Sequence, residues 1–114
     1  MANKETYLGE FEYIILLALM HLRDNAYGMT IRMEINDRIG RNVSIGAVYT
    51  TLERLEKKGF ITSEMGEATP RRGGKAKKYF SITTAGKHKL DETRKIFEIM
   101  WRGLSHDLLV NSYA

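Results

Sequence analysis

The tightest constraint on this fold is a change of apolar period just after Gly59. Before it, apolar side chains recur every three or four residues, the spacing that gives a helix one apolar face. Tyr27, Ile31, Ile35 and Ile39 form one such stripe, and Ile45, Val48, Leu52 and Leu55 form another. After it, Phe60–Met65 and Lys78–Ile82 are short runs rich in β-formers, separated by a stretch holding Pro70 and Gly73-Gly74. Two such runs read as a hairpin with a long loop. The chain is therefore expected to be helical up to Gly59 and to carry one small sheet after it.

The remaining elements follow from punctuation. A first helix is expected from Leu8 to Arg23, nearly surrounded by Leu8, Phe11, Ile14, Ile15, Leu16, Leu17, Leu19, Met20 and Leu22. A helix apolar on most sides is buried on most sides, so one face can serve the core and the rest a second subunit. Asp24-Asn25 stops it with turn-forming side chains. A second helix spans Gly28 to Ile39 and is closed by Gly40. Ser44 is the N-cap of a third, Ile45–Lys58, which Gly59 ends. Thr83 caps a last helix expected to run unbroken from Thr84 to Leu109, apolar at Leu90, Ile96, Phe97, Met100, Trp101, Leu104 and Leu108. The fold class is thus mainly α with a small β-hairpin (α+β), a winged helix-turn-helix whose third helix suits a DNA major groove. Residues 1–83 are expected to be the DNA-binding domain, with helix 8–23 also used in dimerisation. Residues 84–114 are expected to be a C-terminal dimerisation helix.

Charge sharpens this. The 114 residues carry 18 cations and 14 acids, a net of +4. Arg71, Arg72, Lys75, Lys77 and Lys78 lie in the acid-free stretch from Ala68 to Lys78. Without these five, 13 of the 18 cations face 14 acids, a net of −1. A patch of this kind attracts a polyanion, although a charge run is often only a solvated loop. Glycines let the backbone approach closely, and arginines can enter a narrow minor groove.

Projected at ~100° per residue, the outer face of the third helix carries Gly46, Ala47, Thr50, Arg54 and Lys57. A lean surface lets a helix backbone come close to base edges. Thr50 and Thr51 have hydroxyls for bases or phosphates, and Arg54 and Lys57 are long enough for phosphates. The free N–H groups around Ser44 and Ile45 suit a phosphate. Tyr49, at the border of the apolar stripe, can either bond a phosphate or pack. Gly46 and Ala47 have a second explanation, close packing against the second helix, so the basic wing is the more discriminating signal.

Other function classes are poorly served. The chain has no cysteine, which excludes disulfides and thiolate metal sites and fits a reducing cytoplasm. No export signal opens it, and Phe11–Leu22, interrupted by Glu12 and His21, falls short of the ~20 apolar residues of a membrane helix. His21, His88 and His106 are scattered, with no metal-ligand spacing. No nucleophile–base pair, phosphate-binding glycine loop or acid pair is visible, so no catalysis, cofactor or metal is expected.

Several segments together resemble the PadR family of bacterial transcription regulators. They are Leu8-Gly9-Glu10-Phe11-Glu12, Ala26-Tyr27-Gly28, the run from Ser44 to Glu56, Arg72-Gly73-Gly74, Lys78-Tyr79-Phe80 and Ile82-Thr83-Thr84-Ala85-Gly86. The resemblance covers nearly the whole chain and is to the short-tailed branch. It implies a homodimer on a near-palindromic double-stranded operator, usually a repressor, with the C-terminal helix packed against the partner's first helix. By position it implies DNA contacts from Tyr27, Ser44, Gly46, Tyr49, Thr50, Arg54 and the wing residues Arg71, Arg72, Gly73, Lys75, Lys77 and Lys78. It also raises a small aromatic effector at the dimer interface, lined by Phe97 and Trp101 with Tyr13 or Leu17. Dimer core is the favoured reading of that aromatic pair, since aromatic residues are common interface anchors. Two rival uses of the same features are a basic loop docking on an acidic protein and non-specific or RNA binding. The lean third helix favours DNA over protein docking, which would present aromatic anchors.

Overall fold

The computed structural model describes residues 7–66 and 76–111. Helix α1 spans Glu10–Leu22, preceded by Gly9 and followed by a 3-10 turn, Arg23–Asn25. Helix α2 spans Gly28–Ile39, and Gly40 ends it in the left-handed region at φ 66°. Helix α3 spans Ile45–Lys57. Strands β1, Ile61–Met65, and β2, Lys78–Ile82, pair antiparallel from Ile61 opposite Ile82 to Met65 opposite Lys78. Helix α4 spans Thr84–Trp101, and a short helix α5 spans His106–Asn111.

The three apolar stripes meet in one core. Ile15, Leu16 and Leu19 of α1, Ile31 and Ile35 of α2, and Val48, Leu52 and Leu55 of α3 are all buried. Ile61, Phe80 and Leu90 complete it from the hairpin and α4. Helix α1 is the hub, since it touches α2, α3, β2 and α4. Burial fades at the ends of the stripes: Ile39, the last residue of α2, and Ile45, the first of α3, are exposed. On α1, Leu17 and Met20 are also exposed, so the surplus apolar surface expected on this helix is present.

Two boundaries differ from expectation by more than one residue. Helix α1 starts at Glu10, because Gly9 is its cap, while Leu8 packs into the core from outside the helix. The last helix is not continuous to Leu109. Arg102 leaves the helical region at φ −58°, ψ 138°, and Gly103 takes φ 83°, a left-handed conformation open to glycine. Ser105 then starts α5, its Oγ accepting from the Leu108 N–H at 3.2 Å. The apolar spacing continues through Leu104 and Leu108 across this break, so periodicity alone does not register it.

The hairpin is fastened to the segment before α2 and closed at its base. The Phe80 N–H donates to the Ala26 carbonyl at 2.8 Å. The Thr83 N–H donates to the Phe60 carbonyl at 2.9 Å, and the Thr83 hydroxyl to the Gly59 carbonyl at 2.8 Å. Gly86 makes this join feasible, because a Cβ there would lie 2.2 Å from the Phe60 carbonyl oxygen.

Candidate nucleic-acid interface

Helix α3 sits with one face in the core and the other in solvent. Gly46, Ala47, Thr50, Arg54 and Lys57 are all exposed, as the helical projection expected, and so is the cap residue Ser44. The Ser44 Oγ accepts from the Ala47 N–H at 3.1 Å, which closes one of the free donors of the first turn. Thr51 is only 3% exposed and faces the core, so its hydroxyl is not available to DNA, contrary to expectation. It lies three residues after Val48 and four before Leu55, on the buried side. Gly46 bears on the packing explanation. A Cβ built on it would meet nothing within 4 Å, so packing against α2 does not require a glycine there.

A second group forms at the start of α2. Tyr27 packs edge-on against Tyr79 of β2, with ring centres 5.4 Å apart. The Lys77 Nζ lies 5.0 Å from the centre of the Tyr27 ring, in cation–π range. Tyr49 reaches from α3 across Gly28, where a Cβ would come within 2.4 Å of its Oη. Tyr49 therefore packs, yet 41% of it remains exposed. The base of the wing, the first turn of α2 and the first turns of α3 thus share one corner. Lys78 lies with its Nζ 5.8 Å from the Phe80 ring. Arg71, Arg72, Gly73 and Lys75 lie outside the described residues.

Arg54 is engaged on one edge. Its Nε donates to Glu12 Oε2 at 3.2 Å, and the Lys58 Nζ donates to the same oxygen at 2.9 Å. The other Glu12 oxygen accepts from the Gly9 N–H at 2.9 Å. Burial pushes the Glu12 carboxyl upward, but the Lys58 ammonium, the Gly9 N–H and Arg54 together hold it below the usual carboxylate value. Glu12 is therefore a buried anion joining α1 to the last turn of α3.

The residues expected at the dimer or effector site lie on α1 and α4. Tyr13 stacks on Phe97 at 6.3 Å with the rings 18° from parallel. Leu17, Phe97 and Trp101 are exposed, as are Ile99, Met100, Leu104 and Leu108. The structure brings Tyr13 and Phe97 together and leaves Trp101 on the open surface. Among the described residues, no three histidines or acids gather as a metal site, and no helix is long and apolar enough to cross a membrane.

Residues 16–92 match the transcriptional regulator PadR-like family. The chain belongs to this family. This PadR-like chain is 36% identical over 93 residues to a transcriptional regulator of Mycobacterium tuberculosis, covering 77% of the chain and 82% of the relative. It is 31% identical over 113 residues to an uncharacterized protein of Lysinibacillus sphaericus, covering 91% and 99%. Its fold matches a PadR family transcription regulator from Clostridium difficile at a TM-score of 0.63 and 28% identity, over 82% and 88% of the two chains. It is a winged-helix transcriptional regulator, which implies regulation by binding DNA, and it is not an enzyme.

Sequence reasoning missed three residues that set the geometry of this PadR-like site. In the sequence Glu12 stands out as an interruption of an apolar run and as part of the Leu8–Glu12 segment, with no partner indicated. Its signal is an acid on a helix otherwise apolar nearly all round, where a charge needs a partner. Arg32 donates from Nε to the Val43 carbonyl at 2.8 Å, which fixes the turn leading into Ser44. Arg41 donates to Glu10 at 2.9 Å and lies 5.3 Å from the Phe11 ring centre, tying the same turn to α1.

Proposed function

We propose that this PadR-like regulator is a sequence-specific repressor that acts in the cytoplasm as a homodimer on a near-palindromic operator. Helix α3 enters the major groove, and the wing follows the adjacent minor groove. The observation that carries this reading is the open space at Gly46 on an exposed, lean helix face. Nothing inside the protein requires a glycine there, whereas close approach of a base edge does. On this reading Tyr27, Ser44, Gly46, Ala47, Tyr49, Thr50, Arg54, Lys77, Lys78 and the wing's Arg71, Arg72, Gly73 and Lys75 contact DNA.

Residues 84–114 serve as the dimerisation arm and residues 1–83 as the DNA-binding unit, with α1 shared. The support is the row of exposed apolar side chains along the second half of α4 and into α5: Phe97, Met100, Trp101, Leu104 and Leu108. Contiguous apolar surface of this kind marks an interface. Phe97 and Trp101, with Tyr13 and Leu17, form dimer core or, once two arms meet, the walls of a site for a planar aromatic effector.

Enrichment of duplexes from a random-sequence pool, followed by titration against the enriched and a scrambled duplex, tests the DNA reading. Preference for the enriched duplex by ~10³ or more at physiological salt supports it. Equal affinity for both leaves only non-specific binding, and no binding at low salt leaves the protein-docking reading. Sedimentation reads the dimer, and a promoter fusion reads the sign of regulation. Quenching of Trp101 fluorescence by planar aromatic compounds reads the effector.

A further inference from the structure

We propose that Glu12 is a positioning residue of the DNA interface, holding Arg54 by its Nε so that the guanidinium presents both terminal nitrogens to a DNA phosphate. The inference rests on the reading of α3 as the DNA-contacting helix. It adds a residue of α1 that lies inside the protein and itself touches no DNA.

The first observation is which nitrogen is used. Arg54 meets Glu12 through Nε alone. Among the described residues, its Nη1 and Nη2 have no protein acceptor. A guanidinium has five N–H donors in a fixed plane, and one edge of that plane matches a phosphate with two parallel hydrogen bonds. Fixing Nε orients the plane and leaves the terminal nitrogens open. The second observation is placement. Arg54 follows Gly46 and Thr50 at intervals of four residues, so all three share the exposed face of α3.

The third observation is the asymmetry of the carboxylate's two cations. The Lys58 side chain is 18% exposed and sits 2.9 Å from Glu12 Oε2, while the Arg54 side chain is 51% exposed and sits at 3.2 Å. With the Gly9 N–H on the other oxygen, Lys58 already satisfies the buried charge. Half-exposed ion pairs add little to stability. The Arg54 contact therefore matters chiefly for where it holds the guanidinium, since a long flexible side chain must otherwise be ordered when DNA binds.

The sign of the effect separates this role from simple charge. Glu12 is an anion near a polyanion's binding face. By charge alone, Glu12→Gln should tighten binding to any DNA. If Glu12 positions Arg54, the same change should weaken it. The experiment titrates wild type, Glu12→Gln, Arg54→Ala, the double variant and Arg54→Lys against the duplex enriched by the wild type and against sheared genomic DNA. Thermal unfolding of each variant is read in parallel.

The expected result is weakening by about five-fold for Glu12→Gln on both probes, with no further weakening by Glu12→Gln once Arg54 is alanine. Arg54→Lys should weaken binding nearly as much as Arg54→Ala, because a point-like ammonium lacks the planar fork that meets Glu12 along one edge and two phosphate oxygens along another. If Glu12→Gln fails to fold, wild-type affinity of this exposed variant still overturns the proposal. Tighter binding by Glu12→Gln, equal weakening in both Arg54 backgrounds, or wild-type affinity for Arg54→Lys overturns the proposal. If the wild type enriches no duplex and ignores genomic DNA, the DNA reading falls as well, and that result is distinct from additivity.

Discussion

Replacing Gly46 by alanine separates folding from function at a single methyl group. Gly46 is the second residue of α3, exposed, with no positive φ, and its Cβ position is empty out to 4 Å. In the free protein the added methyl therefore meets no strain. It removes the backbone freedom that glycine keeps in the unfolded chain, a gain of about 0.5–1 kcal/mol in a helix. In a domain of this size that corresponds to a melting temperature higher by roughly 2–8 °C. In the complex the methyl occupies space that the proposed reading gives to DNA. Overfilling a close-packed contact costs about 1–3 kcal/mol, or roughly a 5- to 150-fold loss of affinity. Circular dichroism melting and titration of the enriched duplex give the two numbers on one sample. A lower melting temperature refutes the open space at Gly46. Unchanged affinity with a raised melting temperature refutes the placement of this face against DNA.

Other substitutions probe the frame and the arm. Gly86→Ala, the same chemical change, should lower stability by about 1–3 kcal/mol. Its Cβ would fall 2.2 Å from the Phe60 carbonyl oxygen, which cannot retreat without losing the Thr83 N–H. A melting curve matching wild type would refute that packing. Met100→Glu, at a position 72% exposed, should leave the monomer fold intact and dissociate the dimer at micromolar concentration, read by sedimentation. A dimer as tight as wild type would remove this face from the interface. Glu12 sets an acid limit. Its folded carboxyl lies below the ordinary 4.5, so the stability it supplies is complete above that value and is lost as the pH falls through the lower, folded one. Unfolding free energy measured across that range should decline less steeply for Glu12→Gln, and identical slopes would refute the buried anion.

What the sequence made legible was whatever depends on neighbours within one helical turn or one strand. The outer face of α3 could be drawn residue by residue, because a period of 3.6 relates Gly46, Thr50 and Arg54 without knowledge of anything else. The hairpin could be placed from Phe60–Met65 and Lys78–Ile82 for the same reason. Thr51 was misplaced because its hydroxyl suggested a polar role, although its spacing, three residues after Val48 and four before Leu55, already puts it on the buried side. The break after Trp101 escaped because the apolar spacing passes straight through it, although Gly103 was its one local mark. Glu12 escaped for a different reason. Its partners lie 42 and 46 residues away, and no local pattern carries a contact at that separation.

The distribution of paired charge shows why so much of the proposed grip falls to a few groups. Outside the wing the protein has slightly more acid than base, and its cations are largely committed. Arg38 pairs with Glu34, Arg41 with Glu10, Lys89 with Glu92, Lys95 with Asp91, and Arg94 with both Asp91 and Glu98. Arg32 is spent on the Val43 carbonyl and Lys58 on Glu12. A body so neutralised exerts little long-range pull on a polyanion. What remains on the face of α3 is Lys57 and the open edge of Arg54, and on the wing the cations that carry the net excess. On the proposed reading, affinity and register are thereby divided between two elements. A cluster of charge attracts a polyanion whatever its orientation, whereas on the proposed reading a guanidinium held by a buried carboxylate favours the orientation that brings α3 against the groove. Glu12, the one acid on α1 that the core encloses, belongs to the second of these tasks.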